Sequence, residues 1–178
     1  MKAWLSSLDK ESYSKLSESL SDKLNFFLND LQVIQDKKMI GAFAPLADEP
    51  QWAVRLASEI QNLLAFPILE KGQDVMAFKL AFFSELEYRS DFGVEILAPK
   101  RAAPQVVPDV LLIPGLAFDR EGRRLGRGRG FYDKFLSDFR GIKIGLCFDG
   151  QLIESVPTLE HDVKMNFIIT NSELIKIK

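Results

Sequence analysis

Hydrophobic residues recur every three or four positions near the beginning of the chain. The members of this stripe are Tyr13, Leu16, Leu20, Leu24, Leu28 and Leu31. Positions three and four apart lie on one face of an α-helix, so the spacing predicts an amphipathic helix over residues 9–31. Asp9, with Ser12 three residues later, is a helix-start signal.

Mainly apolar runs predict the strands of a sheet. Such runs cover residues 39–44, 110–113, 142–148 and 167–170, and looser strand patterns cover 75–83 and 93–97. The run Val-Leu-Leu-Ile at 110–113 is typical of a central strand covered on both faces. Helical patterns follow at 50–64, where Pro50 lies near the first turn, and at 131–139. Strands that alternate with helices predict the α/β class, as one three-layer α/β/α domain over residues 1–178 with a mostly parallel central sheet.

Charge and composition exclude several classes of protein. The 178 residues include 23 basic and 25 acidic side chains, a net charge of −2, which disfavours nucleic-acid binding through bulk charge and binding to a membrane surface. The single cysteine, Cys147, cannot form an internal disulfide, as expected in a reducing compartment. The N-terminal residues are too polar for a secretory signal, and no apolar stretch is long enough to span a bilayer. We therefore expect a soluble cytoplasmic protein.

Glycine and arginine are concentrated in one segment, residues 114–130, between the predicted strand at 110–113 and the predicted helix at 131–139. Glycines stand at 122, 126, 128 and 130, and five of the nine arginines of the chain stand at 120, 123, 124, 127 and 129. Residues 120–134 contain six basic and two acidic side chains, a local charge of +4 on an acidic protein. This contrast indicates an anionic ligand.

Phosphate is the anion that this segment suits best. Glycine lets backbone amides approach an anion closely, and the N-terminus of the following helix favours negative charge. Arginine adds a planar fork of donors, and ligands of α/β sheets bind at the carboxyl ends of strands. Asp133, at the start of the helix, is a candidate Mg²⁺ ligand. The glycine spacing matches neither a Walker A loop nor a dinucleotide fingerprint, and a solvated basic turn and an RNA-contacting Gly/Arg segment stay open as alternatives.

Residues 114–133 resemble the signature of the 5-formyltetrahydrofolate cyclo-ligase (methenyltetrahydrofolate synthetase) family. The signature reads Pro-Gly-x-Ala-Phe-Asp-x-x-Gly-x-Arg-Leu-Gly-x-Gly-x-Gly-Tyr-Tyr-Asp, and this chain departs from it only at Phe131. Glu49 resembles an acidic residue of the family, and Pro67 followed by Met76 and Phe78 resembles another family pattern. The resemblance implies the NagB/RpiA/CoA-transferase-like version of the three-layer fold.

The resemblance also implies a reaction. In this family, ATP and Mg²⁺ drive the conversion of 5-formyltetrahydrofolate to 5,10-methenyltetrahydrofolate, through phosphorylation of the formyl oxygen and attack by N10, with release of ADP and phosphate. The expected partner is this folate, with or without a polyglutamate tail, and the expected state is a monomer without nucleic-acid or membrane partners. A diverged relative that binds nucleotide or folate without efficient turnover is the alternative.

Site residues follow from the same resemblance. The expected ATP-binding residues are Arg124, Leu125, Gly126, Arg127, Gly128, Arg129, Gly130, Phe131 and Tyr132, together with Lys2. Among them, Arg127 and Arg129 are expected to face the transferring phosphate, and Tyr132 to close over the substrate. Asp133 is expected to bind Mg²⁺. Ala44 and Glu49 are expected to contact the folate.

Overall fold

The computed structural model describes residues 4, 7–69, 76–91, 94–157 and 162–178. The helices are α1 (Lys10–Asp30), α2 (Ser58–Gln61) and α3 (Phe131–Asp138). The strands are β1 (Ile40–Gly41), β2 (Leu64–Leu69), β3 (Met76–Leu80), β4 (Glu87–Asp91), β5 (Val94–Ala98), β6 (Gln105–Val106), β7 (Val110–Pro114), β8 (Ala117–Phe118), β9 (Arg124–Leu125), β10 (Ile142–Leu146), β11 (Phe167–Ile169) and β12 (Leu174–Lys176). The predicted first helix is confirmed, and the carboxylate of Asp9 caps it by accepting a hydrogen bond from the Ser12 amide at 2.8 Å.

Within the described residues, eight strands form one mixed sheet in the order β12-β11-β10-β7-β1-β2-β3-β6. The five central strands, from β11 to β2, are parallel. At the edges, β12 pairs antiparallel with β11, β3 with β2, and β6 with β3. Strands β4 and β5 pair as a separate hairpin, as do β8 and β9. The predicted mostly parallel sheet is confirmed.

Helices cover both faces of this sheet. Strand β7 contacts both helical layers, because its alternate side chains point to opposite faces. Val110 and Leu112 pack in the hydrophobic cluster that includes the buried leucines of α1. Leu111 and Ile113 pack in a second cluster, with Leu136 of α3. The strand is apolar throughout because neither of its faces meets water. The three-layer architecture predicted from the sequence is therefore confirmed.

The helix predicted over residues 50–64 is wrong. In this fully described stretch only the four residues of α2 are α-helical, and turns precede them. Hydroxyl groups of α1 bind the backbone there instead. The Oγ of Ser17 accepts from the amide of Gln51 at 3.3 Å, and the Oγ of Ser21 accepts from the amide of Arg55 at 3.0 Å. These tertiary hydrogen bonds replace the bonds that a helix would make within itself.

The topology brings two loops together at one edge of the sheet. Parallel strands β1 and β7 are neighbours, so the residues that follow them emerge side by side. The residues after β1 form a turn that contains Glu49, and β7 leads through the β8–β9 hairpin to α3. Among the described helices, none is both long and apolar enough to cross a membrane.

Candidate active site

A cavity of about 250 Å³ lies at the carboxyl ends of β1 and β7. Its apolar wall consists of Phe43, Leu46, Pro67, Met76, Ile96 and Leu97. Arg124 and residues 126–133 also line the cavity and bring most of its charged groups. The cavity therefore offers a hydrophobic surface and a cationic, glycine-rich surface to the same bound molecule.

Residues 126–130, here called the glycine loop, need glycine for their backbone conformation. Gly128 has a φ angle of +84° and Gly130 one of +69°, in the left-handed region that side chains with a Cβ disfavour. A Cβ at either position would meet no atom within 4 Å. The requirement is thus conformational rather than steric. Gly130 is also the N-cap of α3 and supplies no side-chain cap to the first-turn amides of the helix.

Arg127 connects the glycine loop to the turn after β1. Its Nε donates to the carboxylate of Glu49 at 3.1 Å. Its two terminal nitrogens donate to the two carboxylate oxygens of Asp48, at 3.2 and 2.7 Å. These partners are 78 and 79 residues away along the chain. The guanidinium group therefore crosses one end of the cavity and pairs with two carboxylates.

Glu49 is almost fully buried, with 5% of its surface exposed. One carboxylate oxygen accepts from the Leu46 amide at 3.0 Å, and the other faces Arg127. Burial raises the pKa of Glu49 above its ordinary value, against the opposing effects of the Leu46 hydrogen bond and the Arg127 charge. The Tyr13 hydroxyl binds the Glu49 carbonyl oxygen, so helix α1 also holds this residue in place.

Arg124 lies beneath the glycine loop and pairs with Asp133. Its guanidinium donates to the Asp133 carboxylate and, at 3.3 Å, to the carbonyl oxygen of Pro114. Only 7% of the Arg124 side chain is exposed. The guanidinium carbon lies 5.6 Å from the centre of the Tyr132 ring, within the range of a cation–π contact. Arg124 thereby fixes two cavity residues at the start of α3.

The hydroxyl group of Tyr132 is buried and has no hydrogen-bond partner within the described part of the chain. Burial raises the pKa of this phenol, and the nearby Glu49 charge raises it further, so the hydroxyl keeps its proton. An unpaired buried hydroxyl costs about 1–3 kcal/mol. Tyr132 lines the cavity with other atoms of its side chain, while the hydroxyl itself is buried.

Two arginines of residues 114–130 form structural ion pairs and do not line the cavity. Arg120 forms a forked pair with Glu173, at 3.0 and 2.5 Å. Arg123 pairs at 2.5 Å with Asp119, whose fully buried carboxylate also accepts from the backbone amides of three residues. The local positive charge seen in the sequence is therefore shared between structural ion pairs and the cavity.

Most of the site residues expected from the sequence come together around the cavity. Those that line it are Ala44, Glu49, Arg124, Gly126, Arg127, Gly128, Arg129, Gly130, Phe131, Tyr132 and Asp133. Leu125 is 40% exposed and pairs with Ala117 in the β8–β9 hairpin, outside the described lining. Lys2 lies outside the described residues.

Sequence reasoning missed two parts of the site. The first is most of the apolar wall, including Phe43, Ile96 and Leu97, because an apolar residue next to a cavity has the same sequence pattern as a core residue. Family-like positions at Pro67 and Met76 were the available signal. The second is Asp48, whose importance comes from its contact with Arg127 and has no signal in the local sequence.

Comparisons with known proteins indicate the family of this chain. A family model described as the 5-formyltetrahydrofolate cyclo-ligase family matches residues 1–171. A 5-formyltetrahydrofolate cyclo-ligase from Mycolicibacterium smegmatis is 28% identical over 163 residues, which cover 86% of this chain and 82% of that protein. The protein of the same name from Escherichia coli is 38% identical over 88 residues, 46% of this chain and 48% of that protein.

A solved structure shows the same fold. The NMR structure of Aquifex aeolicus 5,10-methenyltetrahydrofolate synthetase superimposes with a TM-score of 0.80, covering 99% of this chain and 89% of that one at 23% identity. The resemblance found in residues 114–133 is thus confirmed by a family match that extends over nearly the whole sequence. The chain belongs to the 5-formyltetrahydrofolate cyclo-ligase family.

Proposed function

We propose that this protein is a 5-formyltetrahydrofolate cyclo-ligase that uses ATP and Mg²⁺ to form 5,10-methenyltetrahydrofolate, ADP and phosphate. The observation that carries the proposal is the meeting of an apolar wall and the glycine loop in one cavity. A reduced folate has ring faces that pack against apolar side chains and a polar pterin edge, and a triphosphate is a polyanion. The two walls match these two substrates and hold them next to each other.

The reaction needs activation of an amide oxygen, which is a poor leaving group. The formyl oxygen of the folate attacks the γ-phosphorus of ATP, the bond from phosphorus to ADP breaks, and an iminium phosphate forms. N10 then attacks the formyl carbon and loses its proton, and the carbon–oxygen bond breaks to release phosphate. Each step transfers charge to phosphate oxygens, so fixed positive groups lower the barrier.

Residues of the glycine loop supply these positive groups. Under the proposal Arg127 and Arg129 face the transferring phosphoryl group, and the amides of Gly128 and Gly130 bind phosphate oxygens. Under the proposal, the Tyr132 side chain turns towards the bound substrates and closes over them, so that its protonated hydroxyl donates to them. Before binding, this hydroxyl is buried and has no hydrogen-bond partner within the described chain.

Asp133 is the residue proposed to hold Mg²⁺. No group of three or more potential metal-binding side chains exists among the described residues, so the site does not resemble an all-protein metal centre. A single carboxylate beside a phosphate loop fits Mg²⁺, which completes its coordination with water and phosphate oxygens. When bound, the ion would neutralise charge on the polyphosphate. Arg124 orients the carboxylate of Asp133.

The folate is proposed to bind against the apolar wall, with Ala44 and Glu49 at the pterin. Ala44 follows β1 and lines the cavity. Glu49 is held by Leu46 and Arg127, so its carboxylate keeps one orientation while accepting a hydrogen bond. This arrangement gives the polar edge of the pterin one fixed acceptor in an otherwise apolar pocket.

The test is a direct assay of the purified protein with 5-formyltetrahydrofolate, ATP and Mg²⁺, following the absorbance of the methenyl product. We expect Arg127→Ala to lower kcat/KM by about 10²–10³-fold, the usual effect of removing a donor that stabilises transition-state charge. Arg120→Ala is the matched control, since Arg120 belongs to the same segment but pairs with Glu173. Absence of product with the wild-type protein would refute the proposed function, and equal activity of the two variants would refute the role of Arg127.

A further inference from the structure

Asp48 and Glu49 hold the same guanidinium group but in different surroundings. The Glu49 side chain is 7% exposed, whereas that of Asp48 is 38% exposed and lies towards solvent. One carboxylate oxygen of Glu49 lies 3.1 Å from Nε and 3.1 Å from the terminal nitrogen Nη2 of Arg127, on the inner edge of the guanidinium group. Asp48 takes both terminal nitrogens, in a forked pair. The two terminal nitrogens form the outer edge of the guanidinium group, and Asp48 thus occupies this edge.

The turn that carries Asp48 is firmly anchored on both sides. The Tyr13 hydroxyl lies 3.3 Å from the carbonyl oxygen of Ala47 and also binds the carbonyl of Glu49. The side-chain amide of Gln51 donates to the carbonyl oxygen of Leu46 at 3.1 Å. Because neighbouring backbone groups are fixed, the carboxylate of Asp48 is presented to Arg127 in a set position.

A phosphate group would need the same edge of Arg127. The two terminal nitrogens form the planar fork that binds phosphate or carboxylate oxygens in pairs. One fork cannot bind two such anions in its plane at the same time. Asp48 and a polyphosphate are therefore mutually exclusive partners of this edge, whereas the contact of Nε with Glu49 is compatible with either.

We propose that Asp48 is an internal competitor of the nucleotide for Arg127, and this rests on the proposed function of the cavity. Nucleotide binding exchanges the Asp48 carboxylate for phosphate oxygens, and product release restores the forked pair. Asp48 is thus a positioning residue that keeps the glycine loop joined to the turn after β1. Its competition lowers the affinity for polyphosphate and so favours release of the products.

The experiment measures binding of ATP, and separately of inorganic tripolyphosphate, by isothermal titration calorimetry in the absence of folate. Asp48→Asn keeps the shape of the side chain and removes its charge, and we expect Kd to fall about two- to fivefold, as for loss of one partly exposed ion pair. Asp48→Ser must give a shift in the same direction. Asp36→Asn is the charge-matched control, since Asp36 pairs with Lys38 ahead of β1, at the opposite end of the strand from the cavity, and must leave Kd unchanged.

A double-mutant cycle separates competition from general electrostatics. In the Arg127→Ala background, Asp48→Asn should no longer tighten binding, because no shared guanidinium remains. An equal decrease of Kd in both backgrounds would show a simple charge effect and refute the proposal. A higher Kd for the single variant Asp48→Asn than for the wild-type protein would also refute it. If the wild-type protein binds ATP but makes no product, the proposed function fails while this cycle still decides the role of Asp48. If it binds neither ligand, both fail.

Discussion

Tyr132 illustrates how the chemistry of a single residue depends on its surroundings. Its ring lies near the guanidinium of Arg124, and its hydroxyl is buried without a partner in the described chain. Burial and the charge of Glu49 both raise the pKa of the phenol, so it acts as a donor at any physiological pH. The sequence shows a tyrosine in the right segment, and the structure shows a donor that no other described residue uses.

Tyr132→Phe tests this donor. Because the hydroxyl is unpaired, its removal should leave the free energy of unfolding unchanged or raise it by up to about 3 kcal/mol, as measured by urea denaturation. The same variant should lower kcat/KM by about tenfold or more, since a hydrogen bond to a charged group contributes about 1.5–3 kcal/mol. A loss of stability above 1 kcal/mol would instead indicate a structural partner for the hydroxyl.

At the scale of elements, the glycine loop and α3 form the proposed phosphate-binding unit. The loop enters the helix through Gly130, which adopts a left-handed conformation with open space around its Cβ position. Leu136 of α3 and Phe139, which follows the helix, then pack into the cluster on one face of the sheet. The backbone of the loop therefore continues into a helix that is packed on the sheet. We expect a substitution at Gly130 to act through backbone strain alone.

Gly130→Ala should destabilise the protein by about 1–2 kcal/mol, the general cost of a Cβ in the left-handed region. Gly130→Asn is the matched control, because asparagine tolerates this region better, and should cost less than the alanine variant despite its larger side chain. Thermal or urea unfolding of the two variants measures the difference. The opposite order of stability would show that space, rather than the φ angle, limits the residue at this position.

At the scale of the whole molecule, the site joins parts of the chain that are far apart in sequence. Turn residues after β1 and the glycine loop meet because β1 and β7 are parallel neighbours. Their charges are paired, with Arg124 on Asp133 and Arg127 on Asp48 and Glu49. Under the proposed function, a polyphosphate with Mg²⁺ makes contacts with the folded protein that the unfolded chain cannot make.

Ligand binding should therefore stabilise the complete fold. ATP with Mg²⁺ at about one hundred times its Kd should raise the Tm by about 5–10 °C, from the free energy of binding and the size of the protein. Chelation of Mg²⁺ by EDTA should reduce this shift, because the proposed Asp133 site then lacks its ion. Differential scanning fluorimetry measures both. An equal shift with and without Mg²⁺ would contradict the assignment of Asp133.

The sequence alone determined the features that depend on local pattern. The stripe of leucines predicted α1, the unbroken run at 110–113 predicted a central strand, and the motif at 114–133 predicted the family and most of the cavity residues. These predictions succeeded because the periodicity and the glycine spacing reflect constraints on neighbouring residues. They do not need the position of any distant segment.

Tertiary structure decided what depends on contacts between distant segments. Hydroxyl groups of α1 accept hydrogen bonds from the backbone amides of Gln51 and Arg55. These bonds take the place of the helix predicted over 50–64. Arg127 meets Asp48 only because parallel strands align their carboxyl ends, and no local pattern marks that aspartate. The physical reason is the same in both cases: a hydrogen bond or an ion pair between remote residues depends on the geometry of the sheet that brings them together.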